Sequence, residues 1–407
     1  MDAQRLRKYA ELLAGSGLNI QKGQEVNIVA GLDQPEFVEM VVEACYERGA
    51  KRVHVEWTSQ KVAKLHAIYQ TLETMSELTS VDEAKLKYRT EILPCRLFID
   101  SDDPDAMNGV DQEKIAKARQ ARYPKMKSYL DAVENKEQWC IAAVPGVKWA
   151  RKMFPEYTDE EAVEKLWEAI LYTSRVTENP VKAWEDHNRN MEERCAFLNQ
   201  LGIEKLIYRS SNGTDFSVGM IPQAEFKGGG EFSLQGYFFN PNIPTEECFI
   251  SPDRMTADGI VYASKPLCYQ SQMIEGFWIR FEEGRAVDWH ADKNEDLLTK
   301  MIQMDEGSCY LGECALVPFD SPIQNSGLLF YNTLFDENAA CHLALGRGFA
   351  DTIHGYEHMS LDECRKLGIN DSMIHVDFMI GTSDLRIDAK CRDGRTIPVF
   401  VNGNWAF

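Results

Sequence analysis

The residues best suited to chemistry lie in the C-terminal half. Four of the eight histidines (His342, His354, His358 and His375) fall within residues 342–407. The most informative unit is Ile374-His-Val-Asp-Phe378. Side chains two apart on a strand share a face, so His375 and Asp377 project together with apolar neighbours on the other side. Such a pair can bind a metal ion or make a plain His–Asp hydrogen bond. On an HxD alone the hydrogen bond is the simpler reading. In Phe335-Asp-Glu-Asn-Ala-Ala-Cys-His342, Glu337 and His342 are not on one face of a regular helix. They converge only through a bend, and a helix start capped by Asp336 or Asn338 is the competing reading.

Two further units carry acids. Glu313 stands in Leu311-Gly-Glu-Cys-Ala-Leu-Val-Pro318, an apolar run expected to be a buried strand. Glutamate is almost never fully buried unless it is paired or holds a metal. Glu246 and Glu247 follow a Pro-containing turn in Asn242-Ile-Pro-Thr-Glu-Glu-Cys-Phe249, where adjacent acids are ordinarily solvated. Together Glu247, Glu313, Glu337, His342, His375 and Asp377 supply four carboxylates and two imidazoles. Four negative charges balance two divalent cations, and oxygen and imidazole donors without thiolate suit zinc, cobalt or manganese. Two such ions about 3.5–4 Å apart polarise a carbonyl and activate water, the machinery of amide or ester hydrolysis. Spacing alone does not select these six, because no HExxH or other short metal motif is present.

The elements that must position these residues divide the chain into two textures. Through about residue 200 helix and strand patterns alternate. Residues 3–15 read as an amphipathic helix ending near Gly15 and Gly17, and 25–29, 53–57, 96–100 and 139–143 read as strands. Helical patterns cover 34–48, much of the stretch to about 90, and 112–131. This β-α-β order implies an α/β domain with a parallel sheet, residues 1–200. Two charged helical stretches, 158–172 and 180–200, read as a connector. Beyond about 204 the pattern becomes β-rich, with a hairpin turn at Glu282-Glu-Gly-Arg285 and one helix near 294–305. Residues 201–407 therefore read as an α+β domain with a largely antiparallel sheet. No GxGxxG follows the first strand and no GxxxxGK[ST] occurs, so nucleotide binding has no support.

Composition narrows the partners. The 407 residues carry 44 Lys+Arg against 64 Asp+Glu, a formal charge of −20. Both nucleic acid and an anionic membrane repel such a chain. No stretch approaches the roughly 18 apolar residues of a membrane span, and the N-terminus lacks a signal-peptide core. Eleven cysteines with no CxxC pair fit free, buried thiols in a cytoplasmic protein.

At the acidic and histidine units the sequence resembles the two-metal aminopeptidases typified by thermophilic aminopeptidases T and S. The likeness begins in RLRKYAELLAGSGLNIQKGQEVNI and GAKRVHVEW. It is strongest in NIPTEECFISP (242–252), LGECALVPFDSPIQNSGLLFYNTLFDENAACHLALG (311–346) and HVDFMIGTSDLRIDA (375–389). The resemblance implies that Glu247, rather than Glu246, joins Glu313, Glu337, His342, His375 and Asp377 as metal ligands. It implies two divalent ions, a C-terminal metal-bearing domain and a homodimer enclosing an elongated cavity. It also implies release of N-terminal residues from peptides with a free N-terminus. Glu313 and Glu337 are the candidate general bases, provided that one of them is not firmly ligated.

One position departs from the family pattern. A tyrosine usually stands seven residues after the histidine matching His342, and here that residue is Phe349. Loss of a hydroxyl that donates to an oxyanion can cost about 10²–10³ in rate. Tyr356, Tyr331 or a second metal contact would then have to replace it, or the position is a cavity wall. Phe349 keeps two other expectations open: a metallohydrolase of another small amide, and a non-catalytic metal- or peptide-binding relative. His54, the His354/His358 pair, Trp57, Trp278 and Trp405 are expected to be structural or loop residues.

Overall fold

The computed structural model describes residues 1–407, which form two compact units. The first comprises Met1–Asn188 with Gly229–Thr245 and Gln270–Gln272; the second comprises Arg189–Gly228, Glu246–Tyr269 and Met273–Phe407.

The first unit is built on a four-stranded parallel sheet. Its spatial order is Arg52–Thr58, Glu25–Gly31, Cys95–Asp100, Trp139–Ala143. Parallel neighbours need long crossovers, and helices supply them: Pro35–Glu47, then Gln60–Tyr69 and Ser80–Ile92, then Gln112–Val133. Pro35–Glu47 has proline in its first turn, where its missing N–H costs nothing, and buries Phe37, Val38, Val41, Ala44 and Cys45. The Ser80–Ile92 helix starts with a reciprocal capping box between Thr79 and Asp82. The predicted 3–15 helix is α-helical over Ala3–Leu12 and widens into a π turn at Leu13–Gly17. The two charged stretches are helices Asp159–Thr173 and Pro180–Gln200.

The second unit holds two antiparallel sheets. The larger one pairs Ile203–Arg209 with Arg386–Cys391 and with Asp215–Gly219, and reaches the long hairpin Gln272–Glu282/Arg285–Lys293. The hairpin turns on Glu283 and Gly284 at φ 48° and 84°, as a two-residue loop requires. Helix Glu295–Ile302 follows it. The smaller sheet has the order His375–Met379, His342–Gly346, Leu311–Leu316, Cys248–Ile250, Lys227–Gly228. One face of it is apolar: Ile250, Cys314, Leu316, Leu343, Leu345 and Phe378 are buried there. The other face carries the chemistry. No helix of the chain is long and apolar enough to cross a membrane.

Candidate metal centre

Directly paired residues in a sheet point to the same side. Ala315 pairs His342, Glu313 pairs Ala344, Ala344 pairs Asp377, and Gly346 pairs His375. Glu313, His342, His375 and Asp377 therefore share one face across three adjacent strands. Small residues, Ala315, Ala344 and Gly346, separate them and leave space above the sheet. The strand carrying Glu313 is buried at all six positions, as its apolar run predicted. A register shift between Leu311 and Glu313 leaves Gly312 as the extra residue. A Cβ on Gly312 would lie 2.2 Å from the Arg347 carbonyl oxygen, so only glycine permits this approach.

The bend needed to unite Glu337 with His342 is present. Asn332, rather than Asp336 or Asn338, caps the short helix Thr333–Asp336. The Asp336 carboxylate instead accepts from the Phe330 and Asn332 amides (2.9 and 3.1 Å). A 3-10 turn, Glu337–Ala339, then delivers the chain to the strand that opens at His342. Asn338, fully buried, ties three segments together. Its Oδ1 accepts from the Glu246 amide (2.7 Å), and its Nδ2 donates to the Leu334 carbonyl (3.0 Å) and to Glu337 Oε1 (3.3 Å). Glu246 and Glu247 are buried, contrary to the solvated-loop expectation, because this contact and the Cys248–Ile250 strand pull their segment against the sheet.

Both imidazoles are held by main-chain carbonyls. His342 Nδ1 donates to Glu337 O (2.8 Å), and His375 Nδ1 donates to Arg347 O (2.7 Å). Each Nε2 is thereby aimed at carboxylates. His342 Nε2 is 3.0 Å from Glu247 Oε2, while His375 Nε2 is 3.0 Å from Glu313 Oε2 and 3.3 Å from Asp377 Oδ1. The ligand atoms form two sets, Glu247–Glu313–His342 and Glu313–His375–Asp377, each within 4.8 Å, with Glu313 common to both. Glu337 is in neither set, yet its carboxylate feels the charges of Asp377 and Glu247.

The electrostatics show how strongly this cluster calls for a cation. Burial, with Glu247 and Asp377 nearby, pushes Glu313 up to about 7 despite the His375 contact. Burial and the charges of Asp377 and Glu247 raise Glu337 well above the carboxylate range. Burial disfavours charge on His342, but Glu247, Asp377 and Glu313 outweigh it and push the ring up to about 10. His375 is raised by Asp377 and Glu313 against the same burial, and Asp377 is lowered by His375. These shifts mark the cluster as a place that favours positive charge. With their Nε2 protons displaced, imidazoles anchored at Nδ1 would offer Nε2 lone pairs beside carboxylates, a donor set suited to a transition-metal dication. The residues present fit a metal centre.

Phe349 lies beside it. Its ring centroid is 4.8 Å from that of His375 and 5.5 Å from that of Phe249. Tyr356 packs against the apolar cluster of Ile221, Ile353 and Ile369, and Tyr331 occupies a left-handed turn at φ 55°. His54, His354 and His358 are half-exposed or exposed and lie in neither donor set. The eleven cysteines are unpaired, and all but Cys268 are buried.

Residues 2–405 match the family described as Thermophilic metalloprotease (M29). The chain belongs to that family. It is 42% identical over 410 residues to aminopeptidase AmpS of Bacillus subtilis, covering 100% of this chain and 99% of that protein. It is 38% identical to aminopeptidase T of Thermus aquaticus, covering all of both chains. Among solved structures, wild-type AmpT from Thermus thermophilus superposes with a TM-score of 0.88 at 36% identity, covering 99% of each chain. That fold, a parallel sheet in the N-terminal part and antiparallel sheets in the C-terminal part, agrees with the architecture read from the sequence. Family membership makes the chain a metal-dependent hydrolase. The residues that sequence reasoning missed are Asn338, Gly312 and Arg347, which act through a side-chain bridge, a close approach and a carbonyl.

Proposed function

We propose that this chain is a metalloaminopeptidase that removes N-terminal residues from peptides using a cocatalytic pair of divalent ions. The observation that carries the reading is the pair of donor sets sharing Glu313, in a chain of this family whose relatives are named aminopeptidases. Glu247 and His342 would hold one ion, His375 and Asp377 the other, and Glu313 would bridge them. When bound, zinc, cobalt or manganese supplies carbonyl polarisation and an activated water. The chain's own part is positioning and proton transfer. The Glu337 and Arg347 carbonyls fix the two rings, and the sheet face fixes Glu313 and Asp377. Glu337, outside both donor sets, is the carboxylate best placed to take a proton and return it to the leaving amine. The substrate's free amine, a cation, suits the same acidic cluster and restricts cleavage to chain ends.

We further propose that residues 201–407 are the catalytic domain, that the protein works in the cytoplasm as a homodimer, and that neither nucleic acid nor membrane is a partner. A second reading, redirected specificity toward another small amide, is favoured by one feature. Phe349 places a ring without a hydroxyl against His375. Hydrolysis of leucine-p-nitroanilide and short peptides tests both readings. It should vanish with chelator and return with zinc, cobalt or manganese. No metal-dependent cleavage of any free-amine peptide would reject the peptidase.

A further inference from the structure

The sheet face that carries the donors continues beyond them. Phe249 pairs Ala315 on one side and Lys227 on the other. The row Lys227, Phe249, Ala315, His342, Met379 therefore crosses all five strands on one face. The next residue confirms the orientation. A Cβ on Gly228 would meet Cys195 Sγ at 3.2 Å and the Cys248 backbone at 3.4 Å, on the opposite side. The Phe249 ring touches Phe349, which touches His375, so an aromatic floor joins Lys227 to the donors.

Lys227 is half-buried on an edge strand of two residues; its backbone pairs with Phe249, while its side chain makes no hydrogen bond or ion pair. Its ammonium is not among the buried polar atoms, so it stays open to an anionic partner from outside the chain. Farther along the same face stands the cluster of four carboxylates, which repels any anionic end of a substrate. We propose that Lys227 binds the C-terminal carboxylate of short peptides, making di- and tripeptides the preferred substrate class. This rests on the aminopeptidase reading. Lys227 and His342 are three strand spacings apart, about 14 Å, or the length of about four extended residues. The four-carbon stem closes part of that gap, which leaves a peptide of two or three residues to span the rest. Longer peptides place their carboxylate past Lys227 and gain nothing from it.

The test compares Leu-Gly-Gly with Leu-Gly-Gly-amide on the metal-loaded enzyme. The wild type should show a kcat/KM for the acid at least about tenfold above the amide, expressed in KM, the worth of one charge-assisted contact. Lys227→Met should bring that ratio near one, and Lys227→Arg should restore most of it. A wild-type ratio near one, or a ratio unchanged in Lys227→Met, overturns the proposal. A binding arm separates this from failure of the peptidase reading. Bestatin, a dipeptide analogue with a free carboxylate, should bind the wild type about tenfold tighter than its methyl ester, and Lys227→Met should erase the difference. If that preference is lost while no peptide is cleaved at all, Lys227 stands and the peptidase reading falls. If bestatin and its ester bind the wild type equally, Lys227 is not a carboxylate site.

Discussion

Asn338→Ala probes whether the proposed metal centre depends on the groups behind its candidate ligands. The side chain is fully buried and makes three contacts: an acceptor for the Glu246 amide at 2.7 Å, and donors to the Leu334 carbonyl at 3.0 Å and Glu337 at 3.3 Å. Truncation strands a buried N–H, worth about 1–3 kcal/mol, and removes two further bonds of about 0.5–1.5 kcal/mol each. With the longest contact counted at its lower limit, the loss is about 3 kcal/mol. Asn338 also aligns the segment that carries Glu247 with the turn that carries Glu337. Loss of such an outer partner typically costs about 10- to 100-fold in metal affinity. Denaturant unfolding of the metal-free protein reads the first number. Competition for zinc against a chromophoric chelator reads the second. Asn338→Asp keeps the acceptor for Glu246 and should lose less affinity than Asn338→Ala. If affinity in Asn338→Ala stays within twofold of wild type while stability falls, Asn338 supports the fold only and the reasoning about Glu247 is refuted.

The remaining predictions concern the ligands, their protons and their neighbours. His342→Ala should lose metal and activity together; survival of both would show that the ligand assignment is wrong. Glu313 and His342 both have native pKa values raised above their unfolded ones, to about 7 and about 10. Their stabilisation is present below about 4.5 and 6.5 respectively and is lost as pH rises through those native values. Metal-free protein should therefore melt lower at pH 8 than at pH 6, and added zinc should raise the melting temperature more at pH 8. Equal zinc effects by calorimetry would contradict this. Phe349→Tyr should raise kcat on leucine-p-nitroanilide by at least about tenfold if the position can serve an oxyanion; an unchanged kcat would mark a wall. Gly312→Ala must displace the Arg347 carbonyl that holds His375. It should cost about 1–3 kcal/mol of stability and lower metal affinity, with wild-type affinity as the refuting result.

The parts of this site that follow a simple period were legible in the sequence. His375 and Asp377 share a strand face because a strand repeats every two residues, and Glu313 drew notice because an acid in an apolar run needs a partner. The α/β order of the first half and the β-rich second half were legible for the same reason. Glu337 and His342 were not legible from spacing, since their approach needs a 3-10 turn between a four-residue helix and a strand. Glu247 looked solvated because nothing local shows that Asn338, more than ninety residues on, would bury its segment. Only the family resemblance gathered these six side chains before the fold did. Lys227 carried no signal at all: its meaning comes from strand pairing with Phe249, which no local pattern reveals.

The central claim, two ions held around a shared Glu313, is tested most directly by titrating metal-free protein with cobalt. Bound metal and leucine-p-nitroanilide hydrolysis should be followed in the same samples. The account predicts saturation at two ions per chain, with full activity only at the second equivalent, and loss of both sites in Glu313→Ala. Saturation at one ion, or full activity regained with Glu313 removed, would contradict it.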